Sequence, residues 1–179
     1  MKTDFFKDAY DFELTLREKL VAMLATPLTV MTLLSGVFVF LVQRFKPSAE
    51  KFELLFAAAL SGFALSLVVA VYHIFRGTVG YRYKCVAAGD DLKNWYDSLL
   101  RHYAGNQALA DAAFDAGIVS RYIEATRANA KNNQSKIAHV AIANRAIACA
   151  LAFAVFSGIP YFISSYSKPE KPIRVEIVK

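Results

Sequence analysis

A basic, amide-rich stretch in the second half of the chain carries the side chains best suited to bind an anion. Lysine and arginine suit phosphate oxygens, and asparagine suits the edge of a nucleobase. Two alternatives stay open for this stretch: contact with anionic lipid headgroups, or a plain solvated helix face. The candidate ligand-binding residues are Arg121, Arg127, Lys131, Asn132, Lys136 and Arg145.

Motifs for catalysis and metal binding are missing from the sequence. It contains no phosphate-binding glycine loop, no His-Glu-x-x-His and no nucleophile elbow. The histidines His73, His102 and His139 are far apart along the chain. Cys85 and Cys149 lack metal or redox spacing. We therefore expect no enzyme, no metal, no cofactor and two free thiols.

Long uncharged segments indicate a membrane protein. Hydrophobic residues make up 56% of the chain, and its mean hydropathy is +0.33. Segments 20–43, 54–75 and 146–167 contain no Asp, Glu, Lys or Arg, and about 20 apolar residues cross roughly 30 Å of hydrocarbon. The sequence therefore predicts an all-α integral membrane protein with transmembrane helices at 20–43, 54–75 and 142–166.

The remaining segments are assigned by their residue patterns. Residues 1–19 mix aromatic and charged side chains, which predicts an amphipathic helix at the membrane surface. Residues 77–141 are predicted to form an extramembrane helical module that is continuous with the third span, and 167–179 a C-terminal tail. Pro47 and Ser48 suit a tight turn between the first two spans.

Inside the module, the pattern begins with a helix at 90–103 that has Trp95 on its apolar side. Gly105 suits a turn after this helix. A short alanine-rich helix at 107–116 should follow, and Gly117 is expected to end it, because glycine commonly terminates helices.

A single long helix is predicted from Ile118 onward, because neither Gly nor Pro occurs until Gly158. It would continue directly from the module into the third span. A heptad seam follows this helix, and such seams pack against partner helices in coiled coils. The seam consists of Val119, Ile123, Thr126, Ala130, Asn133, Ile137, Val140, Asn144, Ile147 and Leu151.

The seam supports two interpretations. Polar residues on a seam, here Asn133 and Asn144, often fix oligomer state, which predicts a homo-oligomer, with a tetramer preferred. Packing of the same stripe against the Trp95 helix within one chain is the alternative. In an oligomer, the seam would line a pore at Ile147, Leu151, Ala154 and Gly158. The alternative pore lining consists of Thr29, Thr32 and Ser35.

The distribution of lysine and arginine predicts the orientation in the membrane. If the N-terminus and the module share one side, that side holds fourteen of these residues and the other side seven. The more basic side is usually cytoplasmic. We therefore expect a cytoplasmic N-terminus and module, with the tail outside.

The long helix resembles part of small bacterial membrane proteins from anti-phage defence loci. The resemblance lies in Arg-Tyr-Ile-Glu-Ala-Thr-Arg-Ala-Asn-Ala-Lys-Asn-Asn at 121–133 and Ala-Asn-Arg-Ala at 143–146, before a span that ends Gly-Ile-Pro-Tyr at 158–161. These residues look like the membrane effector of Hailong-type systems, which is partnered by a nucleotidyltransferase. SLATT effectors, with two spans and an extramembrane helix, are similar in layout. The resemblance covers roughly residues 118–162 and includes no chemically diagnostic motif.

The resemblance implies a homo-oligomeric channel in the bacterial inner membrane that depolarises the infected cell. Its gating ligand would be a nucleotide or a single-stranded DNA oligomer made by the partner nucleotidyltransferase. A non-conducting membrane scaffold that recruits a cytoplasmic partner through the Trp95 helix is the alternative function.

Overall fold

The structure, a computed structural model, describes residues 2–44, 50–87 and 89–166. All regular secondary structure in these ranges is helical, which confirms the predicted all-α fold for this part of the chain. The predicted turn at Pro47 and Ser48 and the predicted tail lie outside the described residues. The helices are α1 (Lys2–Ala22), α2 (Ala25–Arg44), α3 (Glu50–Thr78), α4 (Gly89–His102) and α5 (Gln107–Tyr166).

Within the described ranges, three helical stretches are long and apolar enough to cross a membrane: Thr3–Arg44, Glu53–Thr78 and Gln107–Ile163. Each overlaps one of the predicted spans. The first apolar helix begins later than predicted, because the chain turns at residues 23 and 24 before α2 starts. Pro27 lies in the first turn of α2, where its missing N–H breaks no helical hydrogen bond.

The chain divides into two compact units. The first unit consists of residues 1–25 and 73–141, and the second of residues 26–72 and 142–179. The first unit therefore combines α1 with the predicted module, and the second contains most of the predicted spans. Helix α5 contributes to both units without a break.

Trp95 packs α4 against the beginning of α5 in the first unit. Its ring meets Phe114 with 4.9 Å between centroids, and the two ring planes are tilted by 39°. It also covers Gly117 so closely that a Cβ there would lie 2.2 Å from the indole. The prediction that Gly117 ends a short helix is wrong, because α5 continues through it from Gln107. The indole explains this glycine: no larger side chain fits beneath the ring.

Tyr10 attaches α1 to the rest of the first unit. Its buried ring meets Tyr122 of α5 at 5.6 Å between centroids. Its hydroxyl accepts the backbone N–H of Val86 at 3.4 Å. Phe5 and Phe12 of the same helix remain exposed. Packing of α1 on α5 is thus a structural finding, whereas its place at a membrane surface stays a prediction.

Phe63 of α3 occupies the centre of the second unit and is fully buried. It meets Phe38 of α2 edge to face at 5.5 Å. Beside it, Gly62 allows the Phe153 ring of α5 to approach, since a Cβ at Gly62 would lie 2.7 Å from ring carbons. Apolar contacts among α2, α3 and α5 therefore hold this unit together. Its core consists of Leu34, Leu41, Phe56, Phe63, Ala70, Ile147 and Ala150.

Replacing Gly117 with Ala is expected to destabilise the first unit, although Ala ordinarily favours a helix. The added methyl group has no space beside Trp95, and such overpacking costs about 1–3 kcal/mol of unfolding free energy. Trp95 is the only tryptophan, so its fluorescence reports the displacement while thermal unfolding reports the loss. Gly36→Ala is the control, because a Cβ at that position would lie within 4 Å of no atom beyond its own helix backbone and chain neighbours. A Gly117→Ala protein with unshifted emission and wild-type unfolding would contradict the assigned packing.

Candidate functional site

An extended segment at 81–87 lies against α5, where asparagine side chains hold it. Asn129 is fully buried and pairs with both backbone groups of Lys84. Its Oδ1 accepts the N–H at 2.9 Å, and its Nδ2 donates to the carbonyl at 3.0 Å. Asn132 donates to the carbonyl of Arg82 at 2.7 Å. These amides satisfy the backbone groups that a neighbouring strand would otherwise satisfy.

Asn133 joins α1, the extended segment and α5. Its Oδ1 accepts the hydroxyl of Tyr83 at 2.5 Å. Its Nδ2 donates to the backbone carbonyl and to the carboxylate of Glu13, both at 2.8 Å. The side chain is only 1% exposed. One interpretation of the predicted seam placed Asn133 against a second copy and the other placed it against the same chain; in the structure its amide pairs within its own chain, although with α1 and the extended segment and not with the Trp95 helix.

Lys136 lies between aromatic rings. It is 5% exposed, and its Nζ lies 5.0 Å from the ring centroids of both Tyr81 and Tyr83. The guanidinium of Arg17 lies 4.7 Å from the centroid of Tyr83. Burial, and secondarily the charge of Arg17, lower the pKa of Lys136. Among the described residues no carboxylate forms an ion pair with it. Lys136 thus anchors the extended segment and does not face solvent as a ligand contact would.

Among the described residues, three members of the predicted ligand set are exposed and have no partner: Arg127 and Lys131 in the first unit, and Arg145 in the second. None of the three forms a hydrogen bond or ion pair with another described residue. Arg121 is also exposed, but its guanidinium lies 4.4 Å from the centroid of Trp95. Arg145 is exposed and belongs to the second unit. The structure therefore leaves one accessible basic pair, a helical turn apart, in the first unit.

Sequence reasoning missed the extended segment and its partners on α1. The residues Tyr-Arg-Tyr-Lys at 81–84 alternate aromatic and basic side chains, and such alternation indicates an extended chain. This signal was sufficient to identify the segment. The contacts of Glu13 and Arg17 with it arise from tertiary packing and leave no local pattern.

His73 and His139 meet in the first unit, although 65 residues separate them in the sequence. Their Nδ1 atoms are 2.9 Å apart, so one ring donates an N–H to the nitrogen of the other. The two helices pack closely here: a Cβ at Gly77 of α3 would lie 3.6 Å from the Cβ of His139 on α5, which is ordinary van der Waals contact. The described part of the chain contains no cluster of three or more potential metal ligands. The pair therefore links two helices and is not part of a metal centre among these residues.

An apolar groove of about 580 Å³ lies between α2 and α5 in the second unit. On the α5 side it is lined by Leu151, Ala154 and Gly158, which belong to the predicted pore seam. Ile147 instead faces the core at 9% exposure, and Asn144 is exposed. The seam residues are thus divided between the core, the groove and the open surface.

The alternative pore residues of α2 bond to their own helix. Thr32 donates to the carbonyl of Leu28 at 3.0 Å, and Ser35 donates to the carbonyl of Met31 at 2.9 Å. This is a common behaviour of hydroxyl groups in helices. Both side chains remain exposed, so the bonds do not decide between the two pore linings.

Comparison with known proteins assigns no family to this chain. No family model, curated protein or solved structure matches it. Function is therefore inferred from the residues described above and from the resemblance of residues 118–162.

Replacing Asn129 with Ala is expected to release the extended segment. The substitution removes the partners of two part-buried backbone groups of Lys84, and a buried group of this kind costs up to about 1–3 kcal/mol when left unpaired. Hydrogen–deuterium exchange over 81–87 should therefore accelerate strongly. Asn132→Ala removes a single bond at a less buried site and should have a smaller effect, while Gln134→Ala, at an exposed position, should have none. Equal exchange in Asn129→Ala and Gln134→Ala would contradict this account.

Proposed function

We propose that this chain is a homo-oligomeric membrane pore of bacterial anti-phage defence, gated by a nucleotide or a single-stranded DNA oligomer. A partner nucleotidyltransferase would make the ligand. The observation that carries the proposal is the continuity of α5, which belongs to both units. Beyond Arg145 this helix contains no charged residue through Tyr166. A ligand bound to the first unit can therefore act on a membrane helix without an intervening loop.

The pore is assigned to the C-terminal part of α5. Ion and substrate transporters usually need ionisable residues within their spans, whereas a simple pore does not. The groove lined by Leu151, Ala154 and Gly158 is apolar and open, so in an oligomer these residues can face a common axis. A ring of such residues around an axis closes a pore by excluding water.

The proposed oligomer uses one heptad position of α5. Ile123, Ile137 and Leu151 share that position at intervals of fourteen residues, and all are exposed, at 39%, 46% and 54%. Apolar side chains at heptad spacing are typical of helices that associate. The oligomer face is therefore drawn through these residues and not through Asn133, with a tetramer as the proposed state.

Gating requires a ligand that prefers one of two arrangements of the protein. The accessible pair Arg127 and Lys131 provides the charge for phosphate, and it lies on the helix that bears the proposed pore residues. The bacterial inner membrane is the proposed location, with the N-terminus and first unit in the cytoplasm, following the distribution of lysine and arginine.

If the ligand holds the pore closed, expression of the chain without the partner nucleotidyltransferase should collapse the membrane potential of growing bacteria, because ions then flow through an ungated pore. In a background with Cys85 and Cys149 replaced by Ser, Ala154→Cys should make conductance in planar bilayers sensitive to thiol reagents. Leu65→Cys is the control, since Leu65 is exposed on α3 away from the groove. If cysteine at none of the α5 groove positions made conductance sensitive to thiol reagents, the pore lining would be assigned to Thr29, Thr32 and Ser35 instead. Absence of conductance under every ligand would reject the pore and favour a scaffold.

Ile137→Glu should reduce the oligomer to smaller species, because it places a carboxylate on the proposed apolar face. Native mass spectrometry of detergent-solubilised protein measures the number of chains. Ala138→Glu adds the same charge about 100° away on the helix and should leave the tetramer intact. A wild-type protein that is monomeric in every detergent would overturn the oligomer.

A further inference from the structure

A small groove between α1 and α5 in the first unit has features of a ligand site that lies outside the contacts described above. Its volume is about 260 Å³. The side chains of Phe5 and Phe6 meet edge to face at 5.4 Å at one side, and Phe5 is 68% exposed. The groove is lined by Phe5, Phe6, Ala9, Ile123, Thr126 and Arg127.

Thr126 provides an unused polar group in this apolar lining. Its Oγ1 is buried and has no hydrogen-bond partner among the described residues. A buried hydroxyl without a partner costs about 1–3 kcal/mol. As placed, the oxygen is out of reach of a ligand, and rotation of the Thr126 side chain about χ1 would have to turn it toward the groove. A ligand that then hydrogen-bonds the hydroxyl would recover that free energy, so the groove favours a ligand with a polar edge on an otherwise flat, apolar body.

Arg127 provides a positive charge at the same groove. Lys131 lies one turn further along α5, which places the two Cα atoms roughly 6 Å apart along the helix axis. Both cations are exposed and unpaired among the described residues.

The size of the groove limits what it can hold. Sites for whole drug-sized ligands measure about 300–1,000 Å³, so this groove accommodates a fragment. Phenylalanine rings suit a planar group, because bases stack on aromatic side chains without regard to sequence. A nucleotide meets each condition: its base is planar and has a hydrogen-bonding edge, and its phosphate is attached through the sugar, away from the ring.

We propose that this groove binds one nucleobase of a nucleotide or oligonucleotide, with the base between Phe5, Phe6 and Thr126 and the phosphate on Arg127 and Lys131. The inference rests on the proposed function, for which it names the ligand site. Because the lining comes from both α1 and α5, an occupied groove would fix α1 against the helix that continues into the second unit.

Equilibrium binding to the full-length protein in lipid nanodiscs tests the site. The probe is a short labelled oligodeoxyadenylate, compared with an abasic oligomer of equal length that keeps the phosphates. Phe5→Ala should weaken binding of the adenylate about tenfold, and Thr126→Val, which removes only the hydroxyl, about fivefold. Neither change should alter binding of the abasic oligomer. Arg127→Ala should weaken both and reduce the salt dependence by about one phosphate contact.

Arg101→Ala is the matched control, because Arg101 is an exposed cation of the first unit that does not line the groove. Equal affinity for the adenylate and the abasic oligomer would overturn the base site, as would wild-type affinity in both Phe5→Ala and Thr126→Val. Lack of saturable binding to any nucleotide at low salt would overturn it as well. Conductance measured on the same preparations separates failure of the base site from failure of the proposed function. A protein that conducts ions without binding the base would overturn the groove as a ligand site and leave the proposed pore unaffected.

Discussion

The first unit depends on finding hydrogen-bond partners for an extended backbone that has no neighbouring strand. A helix cannot supply them from its own backbone, because its N–H and C=O groups are already paired internally. Asn129 and Asn132 supply them from side chains on α5. This requirement decides which face of α5 turns inward over these turns, and consequently leaves Arg127 and Lys131 on the outside.

The position of α1 follows from the same arrangement. Once Asn129 fixes the extended segment, the Tyr83 side chain lies within reach of both Asn133 and Arg17. Asn133 then completes the link through Glu13. Any ligand that binds between α1 and α5 would therefore act on contacts that are already polar, directional and buried. Such contacts change in discrete steps, which is what a two-state gate needs.

The sequence was sufficient for the features that depend on single segments. Uncharged runs predicted the apolar helices, because crossing hydrocarbon is a matter of length and charge alone. The helical spacing of Trp95 and the neighbouring leucines likewise predicted α4. The predicted seam lies about one residue along α5 from the face that is buried in the structure. That buried face contains Asn129 and Lys136. A hydrophobic pattern counts such residues as exposed, and only their tertiary partners reverse that assignment.

Gly117 shows the same limit on a smaller scale. Alone, a glycine after an alanine-rich turn is typical of a helix end. In the structure, the space that a side chain at this position would need is occupied by an indole ring from another helix. Sequence spacing does not reveal that contact. The candidate ligand groove depends equally on distant partners, because Phe5 and Thr126 are 121 residues apart.

The contact between His73 and His139 makes two identical side chains chemically unequal. When both rings are neutral, the donor must carry its proton on Nδ1, which leaves its Nε2 bare. The acceptor must have a bare Nδ1, and its proton therefore resides on Nε2. The two helices thus hold opposite tautomers, one presenting a basic nitrogen to its surroundings and the other an N–H. Exchange of these roles would reverse the polarity of this junction without moving either backbone.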